Sequence, residues 1–584
     1  MLSMFLIVLL FIALAVVFTR PLASKSATHA QGEAPGDPAF QAWTIAWDVH
    51  MLGENPFNLF NANIFYPGRY TLAYADHQFT NAILAIPLLT TAGNPILAEN
   101  LLKVFHFFLC SLGAYLLVAH LTKNRPAGVV AGIAFAYAPQ RFVNIGQLHM
   151  CSAGWIPLTL LFLHRYSEGK KGSDAALAGL FFTLAALSTW YYAVMLAVAV
   201  ALFLVVRFFT NRSTYSLEWL FKLALVFAIA FLIIYPFARP YLKLGKEEPG
   251  FGWKLEYAEQ SSADVQDFLV TSSSTALWGR IGGGLRADSI RRGGGLLFPG
   301  LLPLVLGIGG AVYLYRRRKD RPEERFYLWF YLALFILGVV LCLGPFLHAF
   351  GRSSRFGLPY SWFYYLFPGF KALRVPTRFA VYTSLSLAVF SGFAVAGICK
   401  WVASRKGVFL SVLLSIAIVL ILLADLMTTP IPVYKVPGKD GFPKAYSWLQ
   451  ENGGSGPIVE LPVDADAPGA RREIDRIYYS TAHWMKMVNG YSGFTPRSWY
   501  YTAELSKEFP SLRSIGQFKE WGVKNVILHG DEIDSRELRD MIGRSKEYQG
   551  LKLLKRIDSD YVFELLTSPP GQPAACKRIC SMVG

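Results

Sequence analysis

TRPLASKSATHAQGEAPGDPAFQAWTIAWDVHMLGENPFNLFNANIFYPGRYTLAY, from Thr19 to Tyr74, is the first long polar stretch of this 584-residue chain. It follows a hydrophobic run, Leu2 to Phe18, and precedes a series of apolar blocks of helical length. The fold turns on whether this stretch is a loose connector or the wall of a site. An irregular segment beside a membrane is ordered only where protein or water satisfies its backbone. Gln41 to Met51 reads as a short amphipathic helix, with Trp43, Ile45, Trp47 and Val49 seeking a membrane interface. Phe79 to Leu89, just beyond, reads as a second interfacial helix.

Composition agrees with a membrane setting. The chain is 53% hydrophobic and 16% charged, too apolar for a soluble domain. A bilayer core takes roughly 20 apolar residues per helix. Leu2 to Phe18 reads as a retained first transmembrane helix rather than a signal peptide, since no basic residues precede it. Further candidate spans, from 98–121 through to 408–427, bring the count to about eleven.

The basic clusters test that map. Lys123 with Arg125, Lys170-Lys171, Arg207 with Arg212, Arg316 to Lys319 with Arg321, and Lys400 with Arg405-Lys406 fall in every second loop. Positive charge gathers on the cytosolic side. The opening stretch, the loops near 141–148, 238–295 and 347–378, and the tail after 428 are then extracytoplasmic. Arg20 and Lys25 depart from the pattern. Much of the excess behind the formal net charge of +17 lies in such short loops, and nucleic acid is not an expected partner.

The loop at 238–295 is glycine-rich, with Gly282-Gly283-Gly284 and Gly293-Gly294-Gly295, and reads as a mobile element. No GKS or GKT follows these glycines, so they are not a P-loop. From about 430, short apolar runs replace the long blocks. Strands are expected at 457–461, 523–529, 551–554 and 561–566, and helices at 445–449 and 504–515. The expected domains are a membrane domain, 1–429, and a small extracytoplasmic α/β domain, 430–584. Cys576 and Cys580 are close enough in sequence to pair, which spacing alone does not establish.

The candidate chemistry lies on the outer side. Asp37, in Pro35-Gly36-Asp37-Pro38, has two compatible readings. It is a helix cap binding the first free amides, or a general base that takes a proton from an acceptor hydroxyl. Asp76, His77 and His149 converge with Asp37 if the outer loops meet. Two carboxylates and two imidazoles could hold a divalent metal, though their separation gives no ligand spacing. Arg141, Arg239, Arg374 and Arg378 lie where positive-inside logic does not place them. A ring of guanidinium groups suits a lipid phosphate or pyrophosphate; salt bridges to loop acids are the structural alternative. His483 to Pro496 is dense in aromatics and glycines, and reads as a packing loop or a saccharide-binding surface.

Layout and local sequence together resemble the GT-C superfamily of integral-membrane glycosyltransferases. The resemblance covers about 430 residues: a first helix, a long outer loop with two interfacial helices, and an acidic residue early in that loop, here Gly36-Asp37. LRVPTRF at 373–379 and NGYSGF at 489–494 resemble stretches of a poorly characterised bacterial group with this layout. The resemblance implies an all-α GT-C membrane domain in the plasma (inner) membrane with a small α/β domain outside it, serving cell-envelope glycan biosynthesis. Asp37 would be the catalytic base, the donor a polyprenyl-phosphate-linked sugar, and the acceptor a lipid-linked glycan, a cell-wall polymer or a protein. No WWDYG stretch is present, which argues against asparagine glycosylation. The competing classes are a lipid-linked glycan transporter or flippase, which needs ionisable groups near the membrane midplane and inverted repeats, and a non-catalytic envelope-assembly protein.

Overall fold

The computed structural model describes residues 2–212, 215–248, 250–281, 286, 295–367 and 369–566. The chain divides into two compact units. One is Met1–Glu54 with Asp76–Val436; the other joins Asn55–Ala75 to Pro437–Gly584.

The first unit is helical. Six helices are long and apolar enough to cross a membrane by length and composition: Pro95–Thr122, Trp190–Thr210, Leu217–Glu247, Pro322–Cys342, Pro376–Lys406 and Val408–Leu426. The other five expected blocks form helices of 12 to 17 residues, at Leu2–Phe18, Arg125–Ala136, Trp155–Gly169, Gly172–Ala186 and Leu301–Arg317. Local signals set their starts. Asn94 accepts a hydrogen bond from the Leu97 amide at 3.0 Å, and Asn124 from that of Ala127 at 2.9 Å. A proline stands in the first turn of both helices, where its missing N–H costs nothing.

Helix Ala380–Lys406 is the axis of this unit. It is buried along nearly its whole length, and small residues let neighbours approach. Leu301–Arg317 packs on it through Gly307 and Gly310; a β-carbon at Gly310 would overlap the Phe390 carbonyl. Leu217–Glu247 is the opposite case. Phe221, Leu225, Phe231 and Leu232 point outward, exposed, as the lipid-facing side of a membrane helix does.

Polar groups among these helices are paired for specific reasons. Asp425 takes the amides of Leu301 at 3.3 Å and Leu302 at 2.9 Å, plus the Trp278 indole at 2.8 Å. It thereby caps a helix to which it does not belong. Arg207, expected among the loop cations, is instead buried and paired with Glu323 through two hydrogen bonds of 2.5 and 2.9 Å. Strand β1 (His29–Gln31) pairs antiparallel with β4 (Val433–Lys435), and β2 (Phe346–Ala349) with β3 (Arg352–Gly357).

Two expectations change here. The Gln41–Met51 helix runs from Asp37 to Glu54, and Pro38 through Asp48 are all buried in protein rather than laid on lipid by one face. Its neighbours are Phe79–Ala92 and Pro95–Thr122. The second correction concerns 238–295, which is not a loop throughout. Helix Leu217–Glu247 continues through Pro236 and Pro240, and Leu255–Gln260 and Val265–Leu269 form short helices. Gly282 to Gly284 and Gly293-Gly294 lie outside the described residues, as do Cys576 and Cys580.

The second unit is an α/β fold. Its sheet runs β5 (Ile458–Leu461), β6 (Asn525–His529), β8 (Asp560–Leu565), β7 (Leu551–Ile557). Strands β5 and β6 are parallel; the other pairs are antiparallel. Every residue of β5 and β6 is buried, as expected of parallel strands covered on both faces. The outer strand β7 carries Lys552, Lys555 and Arg556, charges that discourage edge-to-edge pairing. The expected helix at 504–515 is two helices, Arg497–Lys507 and Leu512–Glu520. Pro510 interrupts the first pattern, and Ser511 caps the second helix through a reciprocal pair with Ser514.

Asn55–Ala75 completes this unit. Asn63 Nδ2 donates to Ser480 Oγ at 3.1 Å and to the Met485 carbonyl at 3.2 Å. The Phe65 amide donates to the Asn489 carbonyl at 2.8 Å. Asn489 in turn fixes the sheet, accepting from the Glu460 amide at 2.7 Å and donating to the Glu460 carbonyl at 2.8 Å and Glu473 Oε1 at 3.0 Å. The ring of Phe494 packs 5.3 Å from that of Tyr74. The NGYSGF stretch therefore has a packing role.

Candidate active site

Asp37 stands in the first turn of Asp37–Glu54, half-buried. A carboxylate there is favoured by the helix dipole. Its Oδ2 accepts a hydrogen bond of 3.1 Å from Gln147 Nε2. The same amide uses its Oε1 to accept from an Arg378 guanidinium nitrogen. The chemistry of both partners fixes the amide orientation: its nitrogen must face the carboxylate and its oxygen the guanidinium. One neutral side chain thus joins an acid from the first loop to a cation from the LRVPTRF stretch.

A second chain of contacts runs beside it. His149 Nδ1 lies 3.0 Å from Gln41 Oε1, one helical turn beyond Asp37. The other nitrogen, Nε2, lies 3.9 Å from Asp76 Oδ2. Asp76 Oδ1 accepts from Thr189 Oγ1 at 3.1 Å and from the Trp190 amide at 3.0 Å, so this carboxylate caps helix Trp190–Thr210. Burial raises its pKa above the ordinary carboxyl value; Arg378, the Trp190 and Thr189 bonds and Arg374 work against that rise.

The arginines are held by aromatic rings. Arg378 lies 4.2 Å over the ring of Tyr191, and Arg374 lies 4.2 Å over that of Trp253. Tyr191 also accepts from the backbone amides of Arg374 and Val375 at 3.1 and 3.2 Å. Arg141 donates to Cys110 Sγ and the Cys151 carbonyl, each at 3.3 Å. Arg141 and Arg378 line one cavity of about 210 Å³ together with Gln140, Asn144, Tyr192 and Ser384. Among the described residues, neither is paired with a carboxylate within ion-pair distance, and the Nε of each is buried without a hydrogen-bond partner. Expected salt bridges to loop acids are therefore not what holds them. Two under-used guanidinium groups on one cavity wall suit an anion.

Asp37, Asp76, His149, Arg374 and Arg378 belong to this network, and Arg141 to its cavity. His77 does not. Its ring packs 4.8 Å from Trp190 and 5.7 Å from Phe237, both its nitrogens lack partners, and burial lowers its pKa to about 3. Arg239 is exposed on helix Leu217–Glu247. The four acid and imidazole groups do not gather as a ligand set. Among the described residues, no group of three or more His, Cys, Asp and Glu is placed to hold a metal ion.

Sequence reasoning passed over Gln41 and Gln147, because a neutral amide carries no charge or spacing signal. It also passed over Asp48 in the same helix as Asp37. Asp48 is completely buried, neither carboxylate oxygen has a hydrogen-bond partner, and burial raises its pKa well above the ordinary value. Burial without a partner disfavours the charged form of such an acid.

No family model matches the chain, and no curated protein does. Similar solved structures include the following three. The oligosaccharyltransferase of Archaeoglobus fulgidus, solved with zinc and sulfate, is 15% identical, with a TM-score of 0.47 over 96% of this chain and 73% of that one. ArnT from Cupriavidus metallidurans in the apo state is 12% identical, with a TM-score of 0.46 over 95% of this chain and 97% of that one. The arabinofuranosyltransferase AftD from mycobacteria is 14% identical, with a TM-score of 0.47 over 96% of this chain and 41% of that one.

Proposed function

We propose that this chain is a membrane glycosyltransferase that moves a sugar from a polyprenyl-phosphate donor to a glycan, lipid or protein acceptor on the extracytoplasmic face. The observation that carries the reading is the Asp37–Gln147–Arg378 relay, a carboxylate and a guanidinium joined through one amide. Glycosyl transfer from a lipid phosphate needs both a proton acceptor and a counter-charge for a leaving phosphate.

In the proposed step, Asp37 takes the proton of an acceptor hydroxyl. The hydroxyl oxygen forms the new bond at the anomeric carbon. The bond from that carbon to the phosphate oxygen breaks, and its electron pair leaves with the lipid phosphate. Arg378 and Arg141, on the wall of one cavity, with Arg374 beside them, balance the charge that develops there. In-line attack inverts the anomeric carbon. Asp76 acts by positioning: it caps Trp190–Thr210, whose Tyr191 supports Arg378. No step is routed through a metal, since among the described residues no acids and imidazoles gather as a ligand set.

The test measures sugar release from a panel of radiolabelled polyprenyl-phosphate sugars by the wild-type protein and by Asp37→Asn. Release by the wild type from at least one donor, lost in the variant, is the expected result. A fully active Asp37→Asn protein overturns the base assignment. A wild type that acts on no donor but moves intact lipid-linked glycan between leaflets supports a flippase instead.

A further inference from the structure

The second unit carries a cavity that the proposed reaction does not use. Its volume is about 270 Å³, near the small end of ligand pockets, which run roughly 300–1,000 Å³. It lies at the carboxyl end of the parallel strand β6, where His529 ends the strand and Asp531 and Glu532 follow. Open α/β sheets commonly hold ligands at that end of their parallel strands. Helix Ala467–Tyr479, which follows β5, supplies another wall.

The cavity is backed by a web of charges. His529 lies between Asp560 Oδ1 at 3.0 Å and Glu460 Oε2 at 2.9 Å. Arg476, only 2% exposed, holds Glu473 at 2.8 Å and Glu532 at 2.6 Å. Lys444 pairs with Asp558 at 3.2 Å. Buried ion pairs add little to stability, because desolvation offsets most of their attraction.

Once these pairs are made, a distinct set of groups is left. Asp475 and Asp531 line the cavity without an ion pair or hydrogen bond among the described residues, and so do the hydroxyls of Tyr479 and Ser559. Arg476 Nε is buried and makes no hydrogen bond. Asp475 and Tyr479 are four residues apart on one helix, so they share a face. Burial and the neighbouring Glu532 raise the Asp475 carboxyl to about 6, against a smaller opposing effect of Arg476. Arg472, which also lines the cavity, is paired with Asp464 and Glu532, so the groups left facing the cavity are two carboxylates and two hydroxyls, with a tyrosine ring beside them. They call for a ligand rich in donors, with an apolar face and without negative charge.

We propose that this cavity binds one saccharide unit, an amino sugar in preference to a neutral one, with Asp475 and Asp531 accepting from its ammonium and hydroxyl groups and Tyr479 packing on its ring. That the sugar belongs to the acceptor glycan rests on the transfer reading above; the binding itself does not.

The full chain in lipid nanodiscs is titrated with glucosamine, methyl glucoside and glucuronate, and binding is read by saturation-transfer NMR, which needs no turnover. Glucosamine is expected to bind more tightly than methyl glucoside, with no transfer to glucuronate. Asp475→Asn should weaken glucosamine about tenfold, to the level of methyl glucoside, and Tyr479→Ala should weaken both. Asp531→Asn replaces Asp475→Asn should the latter fail to fold. Absence of transfer to both glucosamine and methyl glucoside, glucuronate binding as well as glucosamine, or glucosamine binding unchanged by the aspartate variants overturns the inference. Binding retained in Asp37→Asn supports a site separate from the chemistry, and binding abolished there overturns that separation. Sugar release by a wild type that binds no sugar here would leave the transfer reading intact.

Discussion

His529→Gln tests the charge web of the second unit at its centre. The ring bridges two carboxylates, Asp560 at 3.0 Å and Glu460 at 2.9 Å. Burial by itself would lower the pKa of this imidazole; its hydrogen bonds to Asp560 and Glu460 outweigh burial and raise it from 6.5 to about 9. A shift of that size corresponds to about 3 kcal/mol of extra stability for the folded, protonated form. Because the folded pKa is the raised one, this stability is complete below pH 6.5, falls as pH rises and is gone above about pH 9. The lowered pKa of Glu460 reflects the same contacts and is not added to it. Glutamine keeps a polar side chain but cannot carry the charge. Pulse proteolysis of the full chain across a urea series, scored at a tag on the C-terminus, reads the stability of this unit at pH 6.5 and pH 9. The wild-type advantage over the variant should shrink by about 3 kcal/mol between the two. An advantage that does not change with pH would refute the reasoning, since the ring would then be neutral in the fold.

The other predictions concern the relay. Gln147→Ala removes a donor 3.1 Å from the Asp37 carboxylate; a hydrogen bond to a charged group is worth about 1.5–3 kcal/mol, so sugar release should fall about 10- to 100-fold. Unchanged release in this variant would reduce Gln147 to a packing residue. Arg378→Lys keeps the charge but loses the planar stack on Tyr191 and the reach to Gln147. Steady-state kinetics should show turnover down about tenfold with an unchanged unfolding temperature, and full activity in this variant would show that charge alone suffices.

What could be read beforehand follows the range of the interactions. Helix blocks were legible because apolar length, Asn caps and first-turn prolines act within a few residues. The tail strands were legible because β-branched runs such as Asn525–His529 mark a buried strand. Pro236 and Pro240 misled because proline argues against a helix interior, yet a long apolar helix tolerates both. Glu504–Ile515 misled for the opposite reason: helical periodicity on both sides hid the break at Pro510. In the site, Asp37, Asp76, His149 and Arg378 announced themselves as ionisable residues in the loops between apolar blocks. Gln147 did not, and its role exists only because two distant partners meet it. His77 sits next to Asp76 in sequence but turns into an aromatic pocket, which adjacency could not reveal.

The union of Asn55–Ala75 with the tail has a consequence for how the protein is made. Asn63 waits for Ser480, a partner 417 residues later in the chain. At about 5–20 residues per second of synthesis, that is a delay of roughly 20–80 s. Throughout it, Phe65 and Tyr74, both buried in the finished unit, have been synthesised without the Asn489 and Phe494 partners they will meet. The segment is covalently joined to the end of the Asp37 helix on one side and to Asp76 on the other. Its two ends are held earlier, by the buried Asp37–Glu54 helix and by Asp76 on Thr189 and Trp190, but its middle finds its partners only when the last part of the chain has been translated, so a ribosome-stalled or truncated product would carry every long apolar helix and still lack a finished Asn55–Ala75 segment.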